Sequence, residues 1–491
     1  MVLYLCLTYE SYKWKNKQER GCLMEEKNRE LNKVLNTGDV LVTAFGAMIG
    51  WGWVVSSGGW IQKAGVVGTM IAFLIGGVMI YFVGLAYAEL TTAMPESGGA
   101  KVFSQRAFGP IGSFICTWAI ILSYIGVVCF EACSLPTIIQ YIFPGFLKGY
   151  LYTIAGFDVY LSWLVVAIIF SIMITFVNIR GVKAAAILQK ILTITIAAVG
   201  IILVIISAIN GNVSNLEGQI FVGVDGVSIV KNILSVAMVA PFFLFGFDVI
   251  PQAAEEIAVP LKKLGKLLIL SIALAVIFYG LVVLAVGYGM NTTEIAESIS
   301  GTGLVTADAM AKLFSSNVMA KVLIIGGMCG IVTSWNSFMI GGSRALMAMA
   351  DSYMIPHIFS QTHSKYKTPH LTLILIGGIS IFSLFFGRAM LIWISDSASF
   401  ACCISYCIVS MAFVKLRKKE PNMHRPYKVK NYKVIGFFAV VLSGFMSIMY
   451  LIPGTGCTLI LQEYVIVVGW GVLGVVFALI CKMKYKERFG K

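Results

Sequence analysis

The chain has 491 residues, of which 58% are hydrophobic and only 12% charged, about half the charge of a soluble domain. Apolar sequence runs along its whole length, which excludes a soluble domain with a single anchor and points to a polytopic protein in a lipid bilayer. The formal charge of +14 does not argue for a nucleic-acid partner, because the basic residues gather in alternate connections, the pattern of membrane topology.

Residues 1–23 mix Tyr, Cys and Lys with no helical period, and no function is assigned to them. From Met24 the sequence leads into the first apolar stretch, so 1–37 reads as a cytoplasmic N-terminal segment. No stretch is preceded by a cleavable signal pattern. Spans of about 20 residues are predicted near 38–62, 66–93, 111–142, 160–178, 187–209, 229–256, 266–289, 320–343, 370–387, 389–414, 434–453 and 462–481. The expectation is therefore an all-α membrane protein of twelve transmembrane helices. A core at 38–414 divides into halves at about 38–209 and 229–414, followed by a basic loop (415–433), two further helices (434–481) and a basic tail (482–491). The first 37 residues hold seven Lys or Arg, and the loop 415–433 holds eight. Counted over all connections, 31 of the 37 basic residues fall on one side. The positive-inside rule then places both termini in the cytoplasm. The outer connection 290–319 is longer than a simple linker; it reads either as a short helix capping a pathway or as an ordinary surface loop.

Two of the spans carry helix breakers in mid-span: GAMIGWGWVVSSGG (Gly46 to Gly59) and APFFLFGFDVIPQAAEE (Ala240 to Glu256), in corresponding places of the two halves. A broken helix exposes backbone N–H and C=O groups that hydrocarbon cannot satisfy, so they must line a cavity or a ligand site. Paired interruptions of this kind mark the binding site of a secondary transporter. Gly46, Gly50 and Gly52 allow the backbone to leave helical geometry and to approach a ligand closely. A half-helix starting near Gly52 offers free N–H groups and a positive dipole end to a carboxylate. In the sixth span, Gly246 and Pro251 mark the break. The carbonyls of Phe242, Phe243 and Phe245 end its first half, where the negative dipole end suits an ammonium group. The bland reading of these glycines is close helix packing.

Enzyme chemistry finds no support. The eleven cysteines show no C-x-x-C pair and no zinc spacing, and the four histidines all fall in cytoplasmic loops. No catalytic triad, phosphate loop or metal cluster is present, so no cofactor and no metal is expected. Asn212 and Asn291 begin matches to the glycosylation acceptor pattern on the outer side.

The first span's I-G-x-G (Ile49 to Gly52), the run AYAELTTAMPESGGAKVFSQRAFGP (86–110), the sixth span's F-G-F-D…A-A-E-E and GSRALMAMADSYMIP (342–356) resemble the amino acid–polyamine–organocation superfamily of permeases. The resemblance covers about residues 35 to 480. It implies a leucine-transporter-type fold: a 5+5 inverted repeat with two C-terminal helices appended. It further implies that spans 1 and 6 unwind around an amino acid, whose α-carboxylate the N–H groups of Trp51 and Gly52 hold. Two departures stand out. Many members carry Ser or Thr where this chain has Trp51, whose ring would narrow the pocket, stack on a methylated ammonium or pack outward. Proton-coupled members can carry a lysine in span 5, at a place that counts to Thr195 and Ile196 here.

Three carboxylates lie within spans: Glu131, Asp248 and Asp396. A lone ionised carboxylate at depth must be protonated, paired or hydrated, so each is a candidate for coupling, gating or helix bridging. Glu89, Glu255 and Glu256 lie near cytoplasmic ends, where pairing with Lys or Arg is expected. Thr333, Ser334 and Ser337 offer hydroxyls to a sodium ion. The reading is a plasma-membrane transporter of amino acids or related small amines, a proton or sodium symporter or an exchanger. The alternative is an amino-acid sensor or receptor on the same scaffold.

Overall fold

The computed structural model describes residue 31 and residues 33–490 except Pro144 and Gly456. Most of the expected N-terminal segment 1–37 therefore lies outside the described residues. The first expected span is three consecutive helices, α1 (Thr37–Met48), α2 (Gly52–Val55) and α3 (Ser57–Ala64). Asn36 starts α1 with a capping box, its side chain accepting from the N–H groups of Gly38 and Asp39 while Asp39 accepts from Asn36 N–H. The second and third spans are α4 (Val66–Ala93) and α5 (Ala100–Ile142). Within α5 the backbone breaks at Gly109, φ 77°, just before Pro110. Only glycine takes that angle without strain, so a short arm at 100–108 turns into the span that follows.

A hairpin that the sequence reading missed comes next, β1 (Tyr150–Ile154) paired antiparallel with β2 (Phe157–Tyr160). Its two-residue turn, Ala155 and Gly156, has positive φ at both positions, as tight hairpins require. The chain continues through α6 (Leu161–Arg180) and α7 (Val182–Asn210). The sixth span is interrupted between α8 (Gly226–Leu244) and α9 (Val249–Gln252). Then come α10 (Leu261–Gly289), α11 (Thr292–Ser300), α12 (Val305–Phe314), α13 (Asn317–Asp351), α14 (His370–Ser383), α15 (Ala389–Lys419), α16 (Tyr432–Met449) and α17 (Leu461–Tyr485). The long outer connection is thus two helices, α11 and α12. Thr306 of α12 donates to Trp53 O at 2.9 Å and meets Ser57 Oγ at 2.6 Å, which seats this cap on the second half of span 1. Asn212 and Asn291, the glycosylation candidates, are both engaged as helix caps.

Among the described residues, eleven helical stretches are long and apolar enough to cross a bilayer. The expected ninth span is the exception. It is a shorter apolar stretch, His370–Phe386, roughly 25 Å by helical rise against a hydrocarbon core of about 30 Å. It closes in a 3-10 turn before Gly387. Burial ranks the helices. The α5 stretch is 83% buried and sits at the centre, whereas α16 and α17 are 22% and 11% buried and lie at the edge. Ile169 and Ile172 of α6, and Ile191 and Ile194 of α7, are exposed; so apolar a face suits lipid and not water.

Buried ion pairs tie the helix ends together on the side of the 415–433 loop. Glu256 faces Arg344 of α13 at 2.9 Å, both side chains fully buried. Glu89 of α4 meets Arg417 at 2.6 Å and Arg425 at 3.0 Å, and accepts from Val429 N–H. The loop is therefore folded onto the helix bundle. Glu255 accepts from Ser97 N–H at 3.0 Å. At the surface Arg106 pairs with Glu420 and holds its carboxyl below the usual range. Breaking the fully buried pair by Glu256→Gln is expected to cost about 3–5 kcal/mol, since Arg344 is left without a counter-charge. Thermal unfolding in detergent would show the loss, and Glu256→Met with Arg344→Met should recover most of it.

Candidate functional site

The site grows from the two broken helices. The last helical residue of α1 is Met48, and Ile49 leaves helical geometry at φ −106°, ψ 74°. Four successive N–H groups follow, on Gly50, Trp51, Gly52 and Trp53. Among the described residues none of them finds a hydrogen-bond acceptor. Four orphan donors at a helix start form an anion-binding end. Opposite them, α8 stops at Leu244, and the carbonyls of Phe242, Phe243 and Phe245 accept no hydrogen bond among the described residues.

Gly246 shapes the second break. Its φ of 130° is open to glycine alone, and a Cβ there would stand 2.6 Å from Ala47 Cβ. The two breaks therefore touch. Asp248 braces this turn: it accepts from Tyr124 Oη at 2.6 Å and from Gly246 N–H at 3.1 Å, fully buried. Gly50 and Gly52 do not take positive φ; what needs a glycine there is proximity. A Cβ on Gly50 would lie 2.5 Å from Glu131 Oε1, and one on Gly52 would run into the Phe243 ring. Gly46 is still helical, and its bare α-carbon lets Thr193 and Gln189 of α7 close in.

Between the breaks lies a small cavity of about 30 Å³, well below the size of an open small-molecule site. Of the residues singled out in the sequence, Gly50, Trp51, Gly52, Phe242, Phe243, Phe245, Glu131 and Ser334 all line it. Ile49, Gly246, Asp248, Asp396 and Thr333 do not. Trp53 turns away, edge to face with Phe278 at 5.4 Å. Glu131 is 3% exposed. Its carboxyl stands beside the Ser334 hydroxyl at Gly50, and its Oε2 has no partner among the described residues.

The hydroxyls of α13 divide by helical phase. Thr333 and Ser337, four residues apart, share one face. Thr333 donates to Gly46 O at 3.2 Å and Ser337 to Thr43 O at 3.4 Å, both toward α1. Ser334 points to the cavity instead. In α7 the count to Thr195 misses the face that matters. Thr195 bonds its own helix, whereas Gln189 and Thr193 meet α1. Gln189 accepts from Asn336 at 2.9 Å, so neutral amides occupy this contact.

Besides Ala47 and Met48 at the first break, four lining groups escaped sequence reasoning: Val127, Phe130, Tyr279 and Phe338. Val127 lies one helical turn before Glu131, a spacing that signals a shared face, and Phe130 is the chain neighbour of Glu131. Tyr279 of α10 donates to Met48 O at 3.0 Å and stacks on Phe73 at 4.9 Å; nothing in its local sequence foretold it.

Residues 35–477 match the family model described as amino acid permease. The chain is similar to the branched-chain amino acid permease BcaP of Bacillus subtilis, 25% identical over 94% of this chain and 95% of the relative. It is also similar to the methylthioribose transporter of the same organism, at 24% over 88% and 90%. To the human cystine/glutamate transporter it is 27% identical over 78% of this chain and 74% of the relative. With the family match running through both broken helices and the cavity between them, this chain belongs to the amino acid permeases, a family of membrane transporters.

Proposed function

We propose that this permease is a secondary active transporter that moves amino acids or related small amines across the plasma membrane by alternating access. One observation carries the reading. Gly50, Trp51 and Gly52, with unpaired N–H groups, and Phe242, Phe243 and Phe245, with unpaired carbonyls, line one cavity, an arrangement that fits the two charged ends of an α-amino acid. The carboxylate sits on the N–H groups of residues 50–53, and the ammonium on the carbonyls of Phe242, Phe243 and Phe245. Glu131 serves coupling, and Thr333 and Ser337 latch α1 to α13 where a sodium ion would otherwise bind. Asp248 holds the span 6 break in shape. The contact between Gly246 and Ala47 supports an inverted repeat of five plus five spans, with α14 as a short ninth and α16 and α17 appended. The core is then 38–414, and the termini and the loop 415–433 are cytoplasmic.

Uptake of a panel of labelled amino acids into proteoliposomes tests the function. Accumulation of none of them would refute it. Topology has its own test. In a Cys-depleted background, Asp225→Cys and Ser300→Cys should react with an impermeant maleimide from outside the cell, and Asn422→Cys should not. All three sites are exposed, so labelling of position 422 from outside would invert or scramble the assignment.

A further inference from the structure

The wall of the cavity beyond the two breaks shows which side chain it receives. No Lys, Arg or His lines it among the described residues. The acidic group there, Glu131, stands beside Gly50 and Ser334, at the main-chain end of the site. The rest of the wall is aromatic and aliphatic, including Val127, Phe130, Phe242, Tyr279 and Phe338. A charged side chain placed among these rings would lose its water, and the carboxylate of the lining, Glu131, is engaged at the main-chain end.

Trp51 closes the remaining side. It is 4% exposed and lines the cavity. Its indole lies against the bare backbone of Gly327 in α13: a Cβ there would collide with Cζ3 and stand 2.7 Å from Cε3. Nearby Gly330 does the same for the break itself, where a Cβ would come 2.6 Å from Gly50 O. So α13 carries a slot in which the indole is seated, next to the cavity that Trp51 lines.

We propose that the site takes neutral amino acids with an apolar side chain, and that Trp51, seated against Gly327, sets the upper size of that side chain. The inference rests on the transport reading above and adds the substrate class to it. Trp51→Ala opens the wall toward Gly327, and Gly327→Ala pushes the indole into the cavity.

The test is self-exchange of each radiolabelled amino acid in proteoliposomes, with the unaltered protein and with Trp51→Ala, Trp51→Phe and Gly327→Ala. The unaltered protein should exchange aliphatic amino acids, with aspartate, glutamate, lysine and arginine about 100-fold or more behind. Trp51→Ala should raise phenylalanine and tryptophan relative to leucine by about 10-fold. Trp51→Phe should give a smaller shift in the same direction, and Gly327→Ala should favour alanine and serine over leucine. Exchange of acidic or basic amino acids as fast as leucine overturns the inference and leaves the transport reading standing. An unchanged side-chain order in both Trp51 variants overturns the role of Trp51. Exchange of no amino acid at all overturns both readings.

Discussion

Purified Gly52→Leu should bind amino acids at least about 100-fold more weakly than the parent, while running as the same monodisperse species in detergent. The reason is steric. The α-carbon of Gly52 touches the Phe243 ring, so a leucine side chain drives that ring into the cavity and covers the four free N–H groups. Gly50→Leu should act similarly, by displacing the Glu131 carboxyl from its place beside the break. Gly59 provides the control: it has open space around its α-carbon, so Gly59→Ala should leave affinity within about twofold, as surface substitutions do. Binding is read by ligand-induced thermal shift or calorimetry, and folding by size exclusion and circular dichroism. Parent-like affinity in folded Gly52→Leu would remove the carboxylate site from this break.

Glu131→Gln should flatten the pH dependence of net uptake while substrate exchange survives. Glu131 lies in the most enclosed span among the described residues, with one hydroxyl beside it and one oxygen without a partner among the described residues. An ionised carboxylate cannot stay in such a place unattended. It must take a proton or meet a cation, and the approaching substrate ammonium is such a cation. Gln keeps the shape and the Ser334 contact but removes the titrating group. Uptake into proteoliposomes at several internal and external pH values, with and without sodium, distinguishes the outcomes. An identical pH profile in parent and variant would reduce Glu131 to a structural partner of Ser334. A strict sodium requirement in the parent would move coupling to Thr333 and Ser337.

The interruptions of spans 1 and 6 were legible because they violate a strong rule. Helix breakers in mid-span leave backbone groups that lipid cannot satisfy, and the structure brings those two segments together around one cavity. Glu131 and Ser334 were legible for the same reason, as polar groups within apolar runs. What each glycine does for the backbone was less legible. Sequence suggested conformational freedom at Gly46, Gly50 and Gly52, yet only Gly246 uses a positive φ at the breaks. The others are small because a neighbour comes close, and that neighbour lies far along the chain: Glu131 for Gly50, Phe243 for Gly52, Gln189 and Thr193 for Gly46.

Composition and spacing by themselves determined the membrane class, the helical architecture, the places of the breaks and the basic asymmetry of the loops. Each depends on a local property: the free energy of apolar segments in lipid, the backbone cost of a broken helix, the charge of a connection. Tertiary structure decided the rest. It chose which face of α13 meets α1, sending Thr333 and Ser337 to one side and Ser334 to the cavity. It took Asp248 out of the cavity and made it the brace of span 6. It brought Tyr279 to Met48 across 231 residues and seated Trp51 on Gly327. Helix rotation and close approach are set by the packing of whole helices against one another, and no window of sequence contains the partner on which they depend.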